Sequence, residues 1–403
     1  MPDWVVKDRK DYAAFFLNLS RTGGEVVPFR SAGRQAFLVN WPEHAERVLS
    51  LNESNYENPY HPYRELSGHY EAAGSVLLQL KRAANTIEHT MLELNTTALN
   101  LSADLQASSS NGPINLMTSV KKRVFCAIAR LLFGVNAQHL SDEFVSASQF
   151  AEECWANGLF TQPSSSPDEM EKHYRAAIQM QERTATWIAH EMRIVPEGQP
   201  VTDAVKQAIV RTILNGYNAT ATTMVWAIYL ILRHGEVRTK VYREIDESFR
   251  ERKTKRRDHA QLDYLKSVLR ETLRLYPPAW VLGREALGED RLGNTVIPKG
   301  SRVFISPYTM QRHSRLWEKP NEFIPERFNS YPSADSFPYA YFPFGGGLRR
   351  CPAGWIVLNH LQVLISVLLD SSHIELATTE WVKPRGLIAL HPQPDVMVTA
   401  MPR

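Results

Sequence analysis

Three cysteines occur in the 403 residues, Cys126, Cys154 and Cys351. They are too few and too scattered for a disulfide framework or a CxxC-type zinc site, so any sulfur chemistry rests on a single thiol. Cys351 closes the segment Phe344-Gly345-Gly346-Gly347-Leu348-Arg349-Arg350-Cys351-Pro352. A free thiol ionises near pH 8.5, whereas a metal ligand must be a thiolate, and a helix beginning just after Cys351 would supply amide N–H groups and a positive dipole end to hold it ionised. Pro352 suits the first turn of such a helix. Gly345, Gly346 and Gly347 allow tight bends and a close approach of backbone to sulfur. Taken alone, the segment fits a ligand loop and a structural cysteine beside a turn about equally.

Two further segments carry charge in unusual company. Glu271 and Arg274 stand at i and i+3, on one face of a predicted helix that stops at Pro277-Pro278. Pro325-Glu326-Arg327-Phe328 adds an arginine within a Pro- and aromatic-rich stretch. Each alone reads as an ordinary surface group. With the cysteine segment, in this order, they form a constellation.

The elements that must position them follow from periodicity. The pattern predicts a helix over Asp11 to Leu19, strands over Glu25 to Phe29 and Gln35 to Asn40, and a helix from Pro42 to Leu51. A long loop follows over Asn52 to Ser75. Helical periodicity dominates from Val76 to Phe249, broken at 108–113, 162–167 and 195–198. Arg250 to Asp258 reads as a basic turn and Leu262 to Tyr276 as a helix, followed by short strands at Asn294 to Ile297 and Arg302 to Ile305. A last apolar helix spans Trp355 to Leu369. The fold class is mainly α with a small β region, as one domain over 1–403. Its β-rich part falls near 20–60, 280–310 and 374–403, and its helical body at 76–276 and 351–370.

Composition bounds the rest. At 43% hydrophobic and 22% charged residues the chain is an ordinary globular protein, and a net charge of +3 does not point to nucleic acid as a partner. Thr212 to Leu232 has no charged residue, but Asn215, Tyr217, Asn218, Thr220, Thr222 and Thr223 make it a helix buried in protein rather than in lipid. The first residues show no apolar run for a leader or membrane anchor, so a cytoplasmic location is expected.

The three segments together resemble the landmark motifs of the cytochrome P450 family: E-x-x-R at Glu271 and Arg274, P-E-R-F at Pro325 to Phe328, and F-x-x-G-x-R-x-C at Phe344 to Cys351. The resemblance implies the cytochrome P450 fold, haem b as cofactor and Cys351 as the iron ligand. Phe344, Gly345, Pro352 and Ala353 would shape the ligand loop, with Phe344 shielding the sulfur, and Arg349 and Arg284 would reach the propionates. It also implies a structural triad of Glu271, Arg274 and Arg327. The expected activity is that of a monooxygenase acting on a small organic molecule, a natural-product intermediate, by hydroxylation or oxidative bond formation. The anchorless chain is similar to soluble bacterial members, which take electrons from ferredoxin and ferredoxin reductase. The basic cluster Arg250 to Arg257 is a docking candidate, although a solvated loop is the simpler reading.

The sequence departs from the family pattern in the central helix. Asn215-Gly216-Tyr217-Asn218-Ala219-Thr220 stands where the family carries an acid followed by a threonine. In one register Asn218 replaces the acid and Ala219 the alcohol; in the other, Ala219 replaces the acid and Thr220 is the alcohol. Neither supplies a carboxylate for proton delivery. Nitric oxide or peroxide chemistry, or a non-catalytic haem-binding scaffold, therefore stand as alternatives. Ala353 replaces a usual glycine and His360 a common acid. No clear third propionate anchor is found between Gly68 and Arg82, where His69, Lys81 and Arg82 are weak candidates. Asn52 to Ser75 and Trp155 to Pro167 are expected to cover the substrate pocket.

Overall fold

The computed structural model describes residues 11–31, 33–57, 87–160, 167–196, 198–254, 262–329 and 337–403. At the N-terminal end the Asp11 carboxylate accepts from Ala14 N–H at 2.9 Å and caps helix α1 (Tyr12–Ser20). Strands β1 (Val26–Ser31) and β2 (Arg34–Val39) then pair antiparallel. Helix α2 (Pro42–Glu46) continues as a π turn over Arg47–Leu51, a 3-10 turn over Glu53–Asn55 and strand β3 (Tyr56–Glu57).

The helical body comprises α3 (Ile87–Ser109), α4 (Leu116–Phe133), α5 (Ser141–Phe160), α6 (Pro167–Glu191), α7 (Asp203–Arg233), α8 (Gly235–Thr254) and α9 (Asp263–Leu275). Strand β4 (Ile114–Asn115) precedes α4. The uncharged run expected to be buried in protein lies in α7, where Met224 to Ile231 are almost completely enclosed. Trp226 stacks on Tyr276 at 3.8 Å and donates its indole N–H to Leu390 O at 2.7 Å. One basic stretch differs from expectation: α8 runs through Thr254, so residues 250–254 are helical rather than a turn. The remainder of that cluster, and all of Gly68 to Arg82, lie outside the described residues.

Beyond α9 the chain builds sheet. Strands β5 (Leu282–Ala286) and β8 (Arg302–Ile305) join the first hairpin in a five-stranded sheet of order β1-β2-β8-β5-β3, in which only β2 and β8 run parallel. Strands β6 (Asp290–Leu292) and β7 (Thr295–Ile297) form a hairpin, and the short helix α10 (Pro307–Met310) follows β8. Helix α11 (Gly354–Ser371) leads into β9 (Ser372–Leu376). A second hairpin, β10 (Lys383–Gly386) and β11 (Leu390–Gln393), precedes β12 (Met397–Pro402), which lies between β4 and β9.

One buried charge cluster ties this late hairpin to the helices. Lys121 of α4 is fully buried with its ammonium 3.6 Å from the Glu152 carboxylate of α5, and His391 of β11 lies 2.9 Å from the other Glu152 oxygen. Burial lowers the proton affinity of Lys121 and of His391. Burial also opposes ionisation of Glu152, but the Lys121 and His391 partners outweigh it and hold the carboxyl below its usual range.

Candidate haem-thiolate site

The loop before α11 is made by its glycines. Gly345 and Gly347 adopt φ of +73° and +68°, a region that costs other residues energy. A Cβ at Gly347 would overlap Leu49 O, and one at Gly346 would enter the Tyr339 ring. Close approach therefore requires glycine at 346 and 347. Gly345 N–H donates to Phe342 O and Cys351 N–H to Phe344 O, both at 2.9 Å, which folds the segment back on itself. The Phe344 ring rests against the α-carbon of Gly354, where a Cβ would come within 2.9 Å. It packs on the start of α11.

Cys351 is exposed, while Cys126 and Cys154 are partly buried. Burial raises the thiol pKa at both of those, so they are held protonated. Among the described residues no group of three or more His, Cys, Asp or Glu is placed to hold a metal ion. Among the described residues Cys351 belongs to no such group, and a single thiol suits an iron whose other ligands come from a macrocycle. Helix α11 starts at Gly354, one residue before the predicted Trp355, but Pro352 lies in a turn ahead of it rather than in its first helical turn, and Ala353 is the N-cap.

The structure brings Glu271, Arg274 and Arg327 together. Glu271 and Arg274 are completely buried on α9 and joined by two hydrogen bonds of 2.7 and 2.8 Å. Arg327 Nε reaches Glu271 at 3.2 Å, and Ile324 N–H donates to the same oxygen at 3.0 Å. Arg274 spends its remaining N–H groups on Gln311 O, Pro320 O and Glu322 O. Every charge has partners, as burial demands. The link to the thiol loop is Gln311, which sequence reasoning missed. Its amide N–H2 donates to Leu273 O and Arg274 O, and its Oε1 accepts from Phe342 N–H at 3.0 Å.

Arg284 and Arg349 converge near this loop. Arg284 is 4% exposed on β5, and Leu282, two residues earlier and so on the same strand face, lies 3.9 Å from where a Gly345 Cβ would be. The Arg284 guanidinium donates to Gly283 O, but its Nε has no hydrogen-bond partner, and no carboxylate lies within ion-pair distance among the described residues. Burial, together with the nearby Arg349 cation, brings its pKa down to about 10. Arg349 is half-exposed, donates to Tyr56 O at 3.1 Å and lies 3.8 Å from Glu53. Two neighbouring cations, one of them buried and short of an anion, fit a cofactor that carries carboxylates.

Along α7 one side remains open. Asn215 is exposed, and Gly216, Ala219 and Thr220 are partly so, although 221–231 is buried. Asn215 and Ala219 are one turn apart at the centre of that side. Gly216 faces α4, where a Cβ would meet Ile128 at 3.1 Å. Asn218 is 6% exposed with its Oδ1 lacking a donor, so it lies off the open stripe. Thr220 Oγ1 donates to Gly216 O at 2.7 Å. Asn215 is the polar side chain that sequence reasoning passed over, and its exposure within a buried helix is visible only in the fold. His360, which stands where the family often has an acid, is partly buried, and that burial lowers its pKa.

The helical body, the small sheets and the Glu271 network around a single-thiol loop are the architecture of a haem-thiolate protein. The chain belongs to the cytochrome P450 family, whose model, Cytochrome P450, matches residues 168–397. That family binds haem iron. Among curated proteins the chain is 37% identical over 169 residues to (+)-vincadifformine 19-hydroxylase of Catharanthus roseus, covering 41% of this chain and 33% of that protein. It is 33% identical over 194 residues to Tabersonine 3-oxygenase of the same plant, covering 46% and 38%. Cytochrome P450 71B36 of Arabidopsis thaliana is 27% identical over 322 residues, covering 70% and 62%. The matches thus span about a third to three-fifths of these relatives' lengths. Among the described residues no helix is long and apolar enough to cross a membrane.

Proposed function

We propose that this protein is a haem-thiolate oxidoreductase of the monooxygenase type that acts on a small organic molecule, a natural-product intermediate, by hydroxylation or oxidative bond formation. The observation that carries the reading is the exposed Cys351 thiol on a loop fixed by glycines, near the buried Arg284 guanidinium, which has no carboxylate within ion-pair distance among the described residues. The printed activities of the relatives, a vincadifformine hydroxylase, a tabersonine oxygenase and the Flavonoid-6-hydroxylase of Ocimum basilicum, support a plant-type specialised metabolite as substrate class. Haem b is the form we assign, because no C-x-x-C-H segment exists for covalent attachment. Bound through a thiolate, haem iron supplies activation of dioxygen.

In this reading Cys351 would ligate the haem iron through its sulfur, and Arg284 and Arg349 would pair with the cofactor's carboxylates. Phe344, Gly345, Pro352 and Ala353 keep the loop in shape. Glu271, Arg274 and Arg327 are structural, acting on the loop through Gln311. Asn215 and Ala219 face the substrate side of α7, with Gly216, Asn218 and Thr220 flanking them. Asn218 could orient a water through its unpartnered Oδ1 but cannot titrate, so it would not itself supply a proton. Electrons come from separate carriers, with ferredoxin and ferredoxin reductase as the pair to supply.

The test uses haem-loaded protein with a carrier pair, 18O-labelled dioxygen and a panel of indole alkaloids and flavonoids. One labelled oxygen in a product, or a coupled product formed only with dioxygen and electrons, supports the reading. A second reading is favoured by the missing carboxylate at 218–220: turnover with peroxide or nitric oxide and none with dioxygen would establish it. Haem binding with no oxidant consumed under any condition would establish a scaffold. Restoring the acid and alcohol with Asn218→Glu plus Ala219→Thr raises product per electron if dioxygen is the native oxidant.

A further inference from the structure

The Cys351 loop is held on a second side by a segment that carries none of the landmark motifs. Glu53, in the 3-10 turn Glu53–Asn55, has a side chain one-tenth exposed. Its Oε2 accepts from Leu348 N–H at 2.9 Å, and its Oε1 lies 3.8 Å from Arg349 Nε. The same turn of the loop presses Gly347 so closely on the Leu49 carbonyl that no side chain would fit. The segment is itself anchored, because Arg47, Asn52 and Tyr56 all donate to the buried Asp290 carboxylate at 2.7 to 3.2 Å. Glu53 is therefore held against the loop by a braced turn, next to Arg349 and close enough to Arg284 to favour its charge.

We propose that Glu53 is a positioning residue for the Cys351 loop: its carboxylate pins Leu348 N–H and also holds Arg349 in competition with the carboxylates of an incoming cofactor. The inference rests on the haem reading above. Its two effects have opposite signs for haem retention. Pinning the loop favours retention, and neutralising Arg349 opposes it. Two substitutions separate them. Glu53→Ala removes both interactions, whereas Glu53→Gln keeps an acceptor for Leu348 N–H and removes the competing charge.

The experiment measures haem transfer from the loaded protein to an excess of apomyoglobin, together with amide exchange at Leu348 and Arg349. Glu53→Ala is expected to release haem roughly threefold faster, a roughly tenfold gain from loss of a hydrogen bond to a charged acceptor partly offset by a roughly threefold slowing from freeing Arg349, with faster exchange at Leu348. Glu53→Gln is expected to release it roughly threefold more slowly, the scale of a partly exposed ion pair, with exchange unchanged. Shifts in the same direction for both variants, or rates within twofold of the parent for both, overturn the proposal. If the parent chain takes up no haem, the haem reading fails and the competition with it. Amide exchange then decides the pinning by itself: protection lost in Glu53→Ala and kept in Glu53→Gln upholds it, and equal protection overturns it.

Discussion

The thiol loop and the central helix treat their polar groups in opposite ways. Around the loop, Glu271, Arg274 and Gln311 are buried and each is engaged by several partners drawn from α9 and from residues 311–342. In α7, Asn218 and Thr222 are equally buried, but Asn218 Oδ1 and Thr222 Oγ1 have no hydrogen-bond partner among the described residues. The difference is one of purpose. A metal-ligand loop must be held in one geometry before the cofactor arrives, and a satisfied network does that at the risk of collapse if one member is lost. The two unpartnered groups of α7 gain no hydrogen bond to offset their burial, so they add little to stability.

The sharpest way to break the contrast is Glu271→Ala. It leaves the buried Arg274 short of its carboxylate and should cost about 3–5 kcal/mol, read as a fall in the unfolding midpoint and in haem content. A comparable loss follows Glu152→Ala, which strands the fully buried Lys121 away from the loop; here the midpoint falls while the fraction of bound haem in the Cys351 state is kept. Gly347→Ala comes next: a positive φ costs a side chain about 1–3 kcal/mol, and the contact with Leu49 O forces the loop outward. Its effect should fall on haem retention more than on unfolding.

Smaller effects sharpen the comparison. Burial works against the Asp290 carboxylate, but hydrogen bonds from Arg47 and Asn52 outweigh it and bring the pKa down to about 2. Because the folded value lies below the ordinary one, the contribution of Asp290 is complete above about pH 4 and disappears as pH falls through about 2. Asp290→Asn should therefore lower the midpoint at pH 7 and converge with the parent at the acid end. Least of all, Asn218→Leu in α7 should change stability by less than about 1 kcal/mol, since the amide oxygen it removes has no donor. A large loss there would mean that α7 is as tightly networked as the loop.

Where chemistry is written in consecutive residues, it was legible. The limits of β8 and the course of α9 and α11 follow from period and from Pro and Gly stops, and Glu271 with Arg274 could be paired from their spacing alone. The exact start of α11 was less so, because Pro352 suits either a turn or a first helical position. Contacts between residues far apart in the chain left no local trace. Gln311 meets Arg274 across 37 positions, Glu53 meets Leu348 across 295, and His391 reaches Glu152 only through the packing of a hairpin on α5. The same holds for the open side of α7, since Asn215 differs from its neighbours only in what the tertiary structure leaves uncovered.

The central claim is that Cys351 binds haem iron as a thiolate, and the ferrous carbon monoxide absorption spectrum of the haem-loaded protein tests it most directly. A Soret band red-shifted to the position typical of thiolate ligation, lost in Cys351→Ala while Cys126→Ala and Cys154→Ala retain it, is the expected result. A band at the neutral-thiol or histidine position in the parent protein, or a spectrum that Cys351→Ala leaves unchanged, would contradict it.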